Sequence, residues 1–184
     1  THGADLKQIE SRAEEPLDIR QEATVPGTLL EAHTGNILDL LNSHREWKED
    51  ILYLDPPYNQ RQYAPNYHLY ETLVRYDEPT VEGTTGLRDY DDQKSDFCAK
   101  KKVLAFTEEV LKATRARLVL ISYSSDGTMS LAEMEEMLCR LAYNGEVSVH
   151  VKAQRRYKAD SSRDNDDSFL REHLFEILRP ESII

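Results

Sequence analysis

The apolar run Ile51-Leu52-Tyr53-Leu54 passes directly into Asp55-Pro56-Pro57-Tyr58, and no other stretch constrains the chain as much. Four apolar residues bounded by prolines predict a short strand. The two prolines then fix φ near about −65° and remove two backbone donors, so strand pairing must stop there. The carbonyls of Asp55 and Pro56 are left as acceptors beside a carboxylate, and Tyr58 follows with a flat ring. A rigid polar clamp at a strand end, next to an aromatic face, suits methylation of an amino group on a flat base.

The exocyclic amino nitrogen of adenine is a poor nucleophile, because its lone pair is delocalised into the ring. If its two N–H groups donate to the Asp55 carboxylate and the Pro56 carbonyl, the nitrogen is drawn toward tetrahedral geometry and the lone pair is freed. Catalysis by such a site is positioning and electrostatics. Tyr58 can lie flat on the base, a contact worth about 1–3 kcal/mol. The plain alternative is a strand-to-loop turn in which the prolines only end the strand and Tyr58 covers the core edge. With proline at about one residue in twenty, an unselected match is expected in about one chain per thousand of this length, which favours the functional reading.

The run YLDPPYNQRQYAPNYHLYETL, the later LVLISYSSDG and the closing RRYKADSSRDN with HLFEILRP resemble N6-adenine DNA methyltransferases of the DNA adenine methylase type, from about Gly35 to Pro180. Asp-Pro-Pro-Tyr alone also occurs in RNA base methyltransferases, and the longer match favours DNA. The resemblance implies a Rossmann-like α/β fold that uses S-adenosylmethionine, with Asp55, Pro56, Pro57 and Tyr58 as the catalytic motif. It places Gly35-Asn36-Ile37 where a Gly-Asp-Ala-like turn reads the adenine of the cofactor, so Asn36, Ile37 and Asp55 are the cofactor-binding candidates; Asn36 stands where an acid is common. Just beyond the clamp, Asn59, Arg61 and Tyr63 are candidates for contact with double-stranded DNA.

The net charge of −11 argues against a general nucleic-acid coat, since phosphate binding rests on clustered Lys and Arg. Charge is nevertheless local. Glu14, Glu15, Asp18, Glu22 and Glu31 crowd the N-terminal part, whereas Lys152, Arg155, Arg156, Lys158 and Arg163 face a single acid, Asp160, in the segment 152–163. Arg155, Arg156, Tyr157 and Lys158 are therefore read as a DNA-facing patch; a solvated edge strand and loop is the bland alternative. The 184 residues, 39% hydrophobic, suffice for one domain with a core. No apolar run approaches a membrane span and no signal peptide opens the chain, so the expectation is a cytoplasmic protein of prokaryotic or phage type, associated with the nucleoid. Cys98 and Cys139 lie far apart without a CxxC or a histidine cluster, which points to reduced, buried thiols and to neither a metal site nor a disulfide.

The pattern predicts a polar connector over 1–30 and the catalytic domain over 31–184. Within it fall a helical turn from Ile37 capped by Asn36, the strand 51–54, helices near 67–75, 101–113 and 131–141, and a loop over 82–93. A continuous apolar strand at 118–123 reads as a buried parallel one. An alternating segment at 147–157 and a short strand at 173–178 make a terminal hairpin. This is an open α/β sheet with ligands at the carboxyl ends of the strands, where Asp55 and the neighbours of Ser122 to Gly127 would line one crevice.

The family's cofactor site begins with a Phe-x-Gly-x-Gly turn on a first strand, and none of the 7 glycines has that spacing. Gly83-Thr84-Thr85-Gly86 does not follow a strand. The expectation is an incomplete sheet lacking that strand and turn, the C-terminal part of a longer methyltransferase or one subunit of a split enzyme, partnered by an upstream segment or chain that carries the glycine motif. The leading function is a site-specific DNA adenine N6-methyltransferase of the restriction-modification kind acting on a flipped base. An RNA base N-methyltransferase and a catalytically silent DNA-binding subunit remain the alternatives.

Overall fold

The computed structural model describes residues 31–155 and 169–180. The described residues from Gly35 onward belong to one compact unit, and the predicted connector 1–30 lies outside the described residues. The order is α1 (Ile37–Ser43), β1 (Ile51–Leu54), α2 (Ala64–Arg75), β2 (Val81–Glu82), β3 (Leu87–Arg88), α3 (Val103–Ala113), β4 (Leu118–Ser124), α4 (Leu131–Leu141), β5 (Ser148–Arg155) and β6 (Phe169–Leu178).

Strands β1, β4, β6 and β5 form one sheet in that spatial order. β1 and β4 run parallel, Leu54 opposite Ile121, while β6 lies antiparallel to both β4 and β5. It follows that β5 runs in the same direction as β1 and β4, so all three end at one edge of the sheet. The sheet is thus mixed, as a small methyltransferase-type α/β sheet, with β1 at its border.

The alternation of side chains across the pleat decides the burial. Leu54, Val119, Ile121, Tyr123, Phe175 and Ile177 are buried and share a core with Val103, Phe106, Val110 and Leu111 of α3 and Met134, Met137 and Leu138 of α4. Each such side chain contributes about 1.5–3 kcal/mol. The exposed residues of β1 are Ile51 and Tyr53, 55% and 57% accessible. α4 starts where its sequence says it should: the Ser130 hydroxyl accepts the Glu133 amide and the Glu133 carboxylate accepts the Ser130 amide, a reciprocal capping box.

Several boundaries differ from the sequence expectation. The region 82–93 is no plain loop, since β2 and β3 pair as a hairpin around Gly83 and Gly86, both at positive φ, and 91–93 form a 3-10 turn. Strands of two residues leave too little alternation to read. β6 pairs antiparallel with β5, as the expected terminal hairpin requires, but it is ten residues long rather than short and lies inside the sheet. β4 is parallel on one side only. Both cysteines are free, but Cys139 is exposed and only Cys98 is buried. No described helix is long and apolar enough to cross a membrane.

Candidate active site

Asp55 is the first residue after β1 and is exposed, with Pro56 buried behind it. Pro56 and Pro57 cannot donate to a ladder, so the chain leaves the sheet and Tyr58 lies half-buried against the core. The parallel neighbour β4 ends at the same edge, and the turn after it reaches back: the Thr128 amide donates to the Tyr58 carbonyl at 2.6 Å. The turn is set from below by Tyr123, whose hydroxyl accepts the Met129 amide at 3.0 Å. Gly127 crosses so close to this ring that any Cβ would overlap it. Burial pushes the Tyr123 hydroxyl pKa up.

Beyond Tyr58, the Asn59 side-chain carbonyl accepts the Arg61 amide at 2.9 Å, a local turn that fixes where Arg61 leaves the surface. Gln62 is bound twice to one backbone residue, donating to the Ser95 carbonyl and accepting the Ser95 amide. The Cys98 thiol donates to the Arg61 carbonyl at 3.4 Å. The segment 95–98 is thereby strapped to the loop that follows the clamp. Tyr63, half exposed at the start of α2, meets Tyr67 edge to face at 6.3 Å. Burial first, then the nearby Asp55 carboxylate, raises its hydroxyl pKa.

The structure therefore brings Asp55, Pro56, Pro57 and Tyr58 together with Asn59, Arg61 and Tyr63. Asn36 and Ile37 sit at the amino end of α1. The Asn36 side-chain oxygen accepts the Leu38 amide at 2.9 Å, so it caps the helix, and Ile37 packs on the core. Arg155 ends β5 opposite Phe169, at the same sheet edge as Asp55 but three strands away. Arg156, Tyr157 and Lys158 lie outside the described residues. Sequence reasoning missed Thr128, Gln62 and Ser95. A Gln-to-backbone strap 33 residues apart carries no local sequence signal, and Thr128 acts through its main chain. Among the described residues no group of His, Cys, Asp and Glu side chains is placed to hold a metal ion.

Asp55, Pro56, Pro57 and Tyr58 thus stand together at a strand end of a mixed α/β sheet. The sequence matches the family described as D12 class N6 adenine-specific DNA methyltransferase over residues 1–137, and the chain belongs to that family. Its relatives include Type II methyltransferase M.FokI of Planomicrobium okeanokoites, 35% identical over 96% of this chain and 27% of the relative. Type II methyltransferase M.NlaIII of Neisseria lactamica is 33% identical over 90% of this chain and 47% of the relative. Type II methyltransferase M.CviAII of Paramecium bursaria Chlorella virus 1 is 39% identical over 70% and 37%. The chain thus spans between about a quarter and a half of the length of these relatives.

Proposed function

We propose that the chain carries the catalytic clamp and part of the DNA surface of a site-specific DNA adenine N6-methyltransferase of a restriction-modification system, working in the cytoplasm. The observation that carries this reading is the exposed Asp55 carboxylate at the end of β1, on a loop whose Tyr58 carbonyl is held by Thr128. Two parallel strands thereby fix one short turn from both sides, the preorganisation that a positioning mechanism needs.

In this mechanism a target adenine is rotated out of the duplex and lies on the Tyr58 ring. Asp55 accepts one N–H of the amino group and the Pro56 carbonyl accepts the other, so the nitrogen lone pair points away from the ring plane. With the cofactor bound, the nitrogen–carbon bond would form as the methyl–sulfur bond breaks and the neutral thioether leaves, and the surplus amino proton would be lost to water. Asp55 lies outside the hydrophobic core, so it serves this polarisation without a cost to packing. S-adenosylmethionine, when bound, supplies the methyl group as an electrophile. The donor set here fits the adenine end of such a cofactor: with its side-chain oxygen engaged by Leu38, Asn36 offers its amide N–H groups to a ring nitrogen, and Ile37 offers an apolar flank.

A glycine-rich turn for the methionine and ribose end has no counterpart in the 184 residues. We assign it to polypeptide outside this chain, in the same protein or a partner. The border position of β1 among the described strands supports that assignment, since an unpaired strand edge is a place for further pairing, and Ile51 and Tyr53 leave one face of the same strand open.

The test is transfer of a tritiated methyl group to an adenine-containing duplex. The chain is assayed alone and together with the part of M.NlaIII that has no counterpart here. Label is expected in the mixture and only on duplex whose adenines are unmethylated. Label on RNA instead would replace DNA as the substrate, and label with the chain alone would remove the need for a second polypeptide.

A further inference from the structure

The lysine run Lys100-Lys101-Lys102 stands immediately before α3, and the fold carries it to the clamp. The strap from Gln62 to Ser95 and the bond from Cys98 to Arg61 hold 95–98 against the loop that follows Asp-Pro-Pro-Tyr. Tyr63 feels both the Asp55 carboxylate and Cys98, so the clamp and the segment leading into the lysines share one neighbourhood.

Local folding does not account for these charges. Cations at the amino end of a helix oppose its dipole, and α3 begins without a side-chain cap and without an acid in its first turn. Nor does ion pairing account for all of them. Lys102 is bound to Asp96 at 2.9 Å and Lys94 to Asp91. Lys100 lies near enough to Glu133 to lower its carboxyl pKa, behind the larger effect of the Ser130 bonds, but it makes no ion pair within 4.0 Å among the described residues, and neither does Lys101. Both lysines are exposed, as is Arg61. On a chain of net charge −11, Arg61, Lys100 and Lys101 are three exposed cations without an ion pair among the described residues.

We infer that Lys100 and Lys101, with Arg61, form a phosphate-binding surface for duplex DNA beside the target adenine, distinct from the basic segment that begins at Arg155. Arg155 itself ends β5, at the opposite border of the sheet from β1. The partner is fixed by charge complementarity, since a duplex carries a dense row of phosphates and lysine is a point-charge donor to them. This inference rests on the DNA reading of the same site.

The experiment is binding of a fluorescein-labelled adenine-containing duplex to the 184-residue chain, followed by anisotropy across a salt series. The comparison is with Lys100→Ala/Lys101→Ala, with Lys100→Gln/Lys101→Gln as a second neutral pair and Lys100→Arg/Lys101→Arg as rescue. Each phosphate contact adds about 0.9 to the slope of log affinity against log salt, so the neutral pairs should lose up to about two slope units and the arginine pair should recover them. Lys112→Ala, a lysine already paired with Glu108 across one turn of α3, should leave the slope as it is.

Duplex binding with an unchanged slope in both neutral pairs overturns the lysine surface while the DNA reading stands. A lysine-dependent slope seen on an RNA hairpin and absent on duplex keeps the surface and overturns the DNA reading. No salt-dependent binding of duplex or RNA by the wild-type chain overturns both.

Discussion

The Thr128 amide and the Tyr58 carbonyl meet at 2.6 Å, joining the turn after β4 to the turn after β1. The bond ties the loop that carries Tyr58 to a strand outside that loop. Tyr123 and Gly127 decide where Thr128 lies, so packing beneath β4 is coupled to the position of Tyr58.

Gly127→Ala is expected to damage the site from outside it. A methyl group at this position overlaps the buried Tyr123 ring, and neither ring nor turn can yield without moving Thr128. The expected result is a melting temperature lowered by several degrees, with methyl transfer reduced more than DNA affinity. Tyr123→Phe should act more mildly, leaving the Met129 amide without its acceptor at a cost of about 1–3 kcal/mol. Thermal melting and single-turnover transfer measure both, and a fully active, fully stable Gly127→Ala protein would refute the coupling.

Asp55→Ala is expected to lower the methyl-transfer rate about 10²–10³-fold, the usual cost of one preorganised polar contact. Because Asp55 is exposed, the melting temperature and duplex affinity should change little. Turnover near that of wild type would remove Asp55 from the chemistry.

At Tyr58 the ring matters more than the hydroxyl. Tyr58→Phe should retain most activity and Tyr58→Ala should lose about 1–3 kcal/mol of base stacking, read as weaker binding of duplex with an abasic-partnered target adenine. Equal loss in both variants would make the hydroxyl the working group.

Arg155→Ala/Arg156→Ala is expected to flatten the salt dependence of duplex binding by up to about two slope units. Arg155 reaches the carboxyl edge of the sheet through β5. An unchanged slope would assign both arginines to the acidic surface of the protein itself.

Asn36 offers a separable pair of roles. Its oxygen caps α1, so Asn36→Ala should cost about 1 kcal/mol of stability. Asn36→Ser keeps a cap oxygen and removes the amide donors. A completed enzyme carrying Asn36→Ser should therefore melt like wild type and bind S-adenosylmethionine less tightly, as titration calorimetry would show. Unchanged affinity would leave Asn36 with capping alone.

The sequence by itself determined the parts in which side chains announce their own role. Ile51 to Leu54 followed by Asp55 and two prolines read as a strand that stops, and apolar spacing marked α4 over 131–141, whose capping box emerged in the structure. Asp55 and Tyr58 were legible as candidates for a clamp and a platform, and the structure places both on the loop that follows β1. The tertiary structure alone decided that β6 runs antiparallel between β4 and β5, and hence that Arg155 emerges at the same edge as Asp55. It alone joined Thr128 to Tyr58 and Ser95 to Gln62. The physical reason is that these bonds use main-chain groups every residue possesses, so residue identity carries no record of them. Strand order likewise depends on which apolar faces pack together under α3 and α4, a choice made by the whole core rather than by any segment.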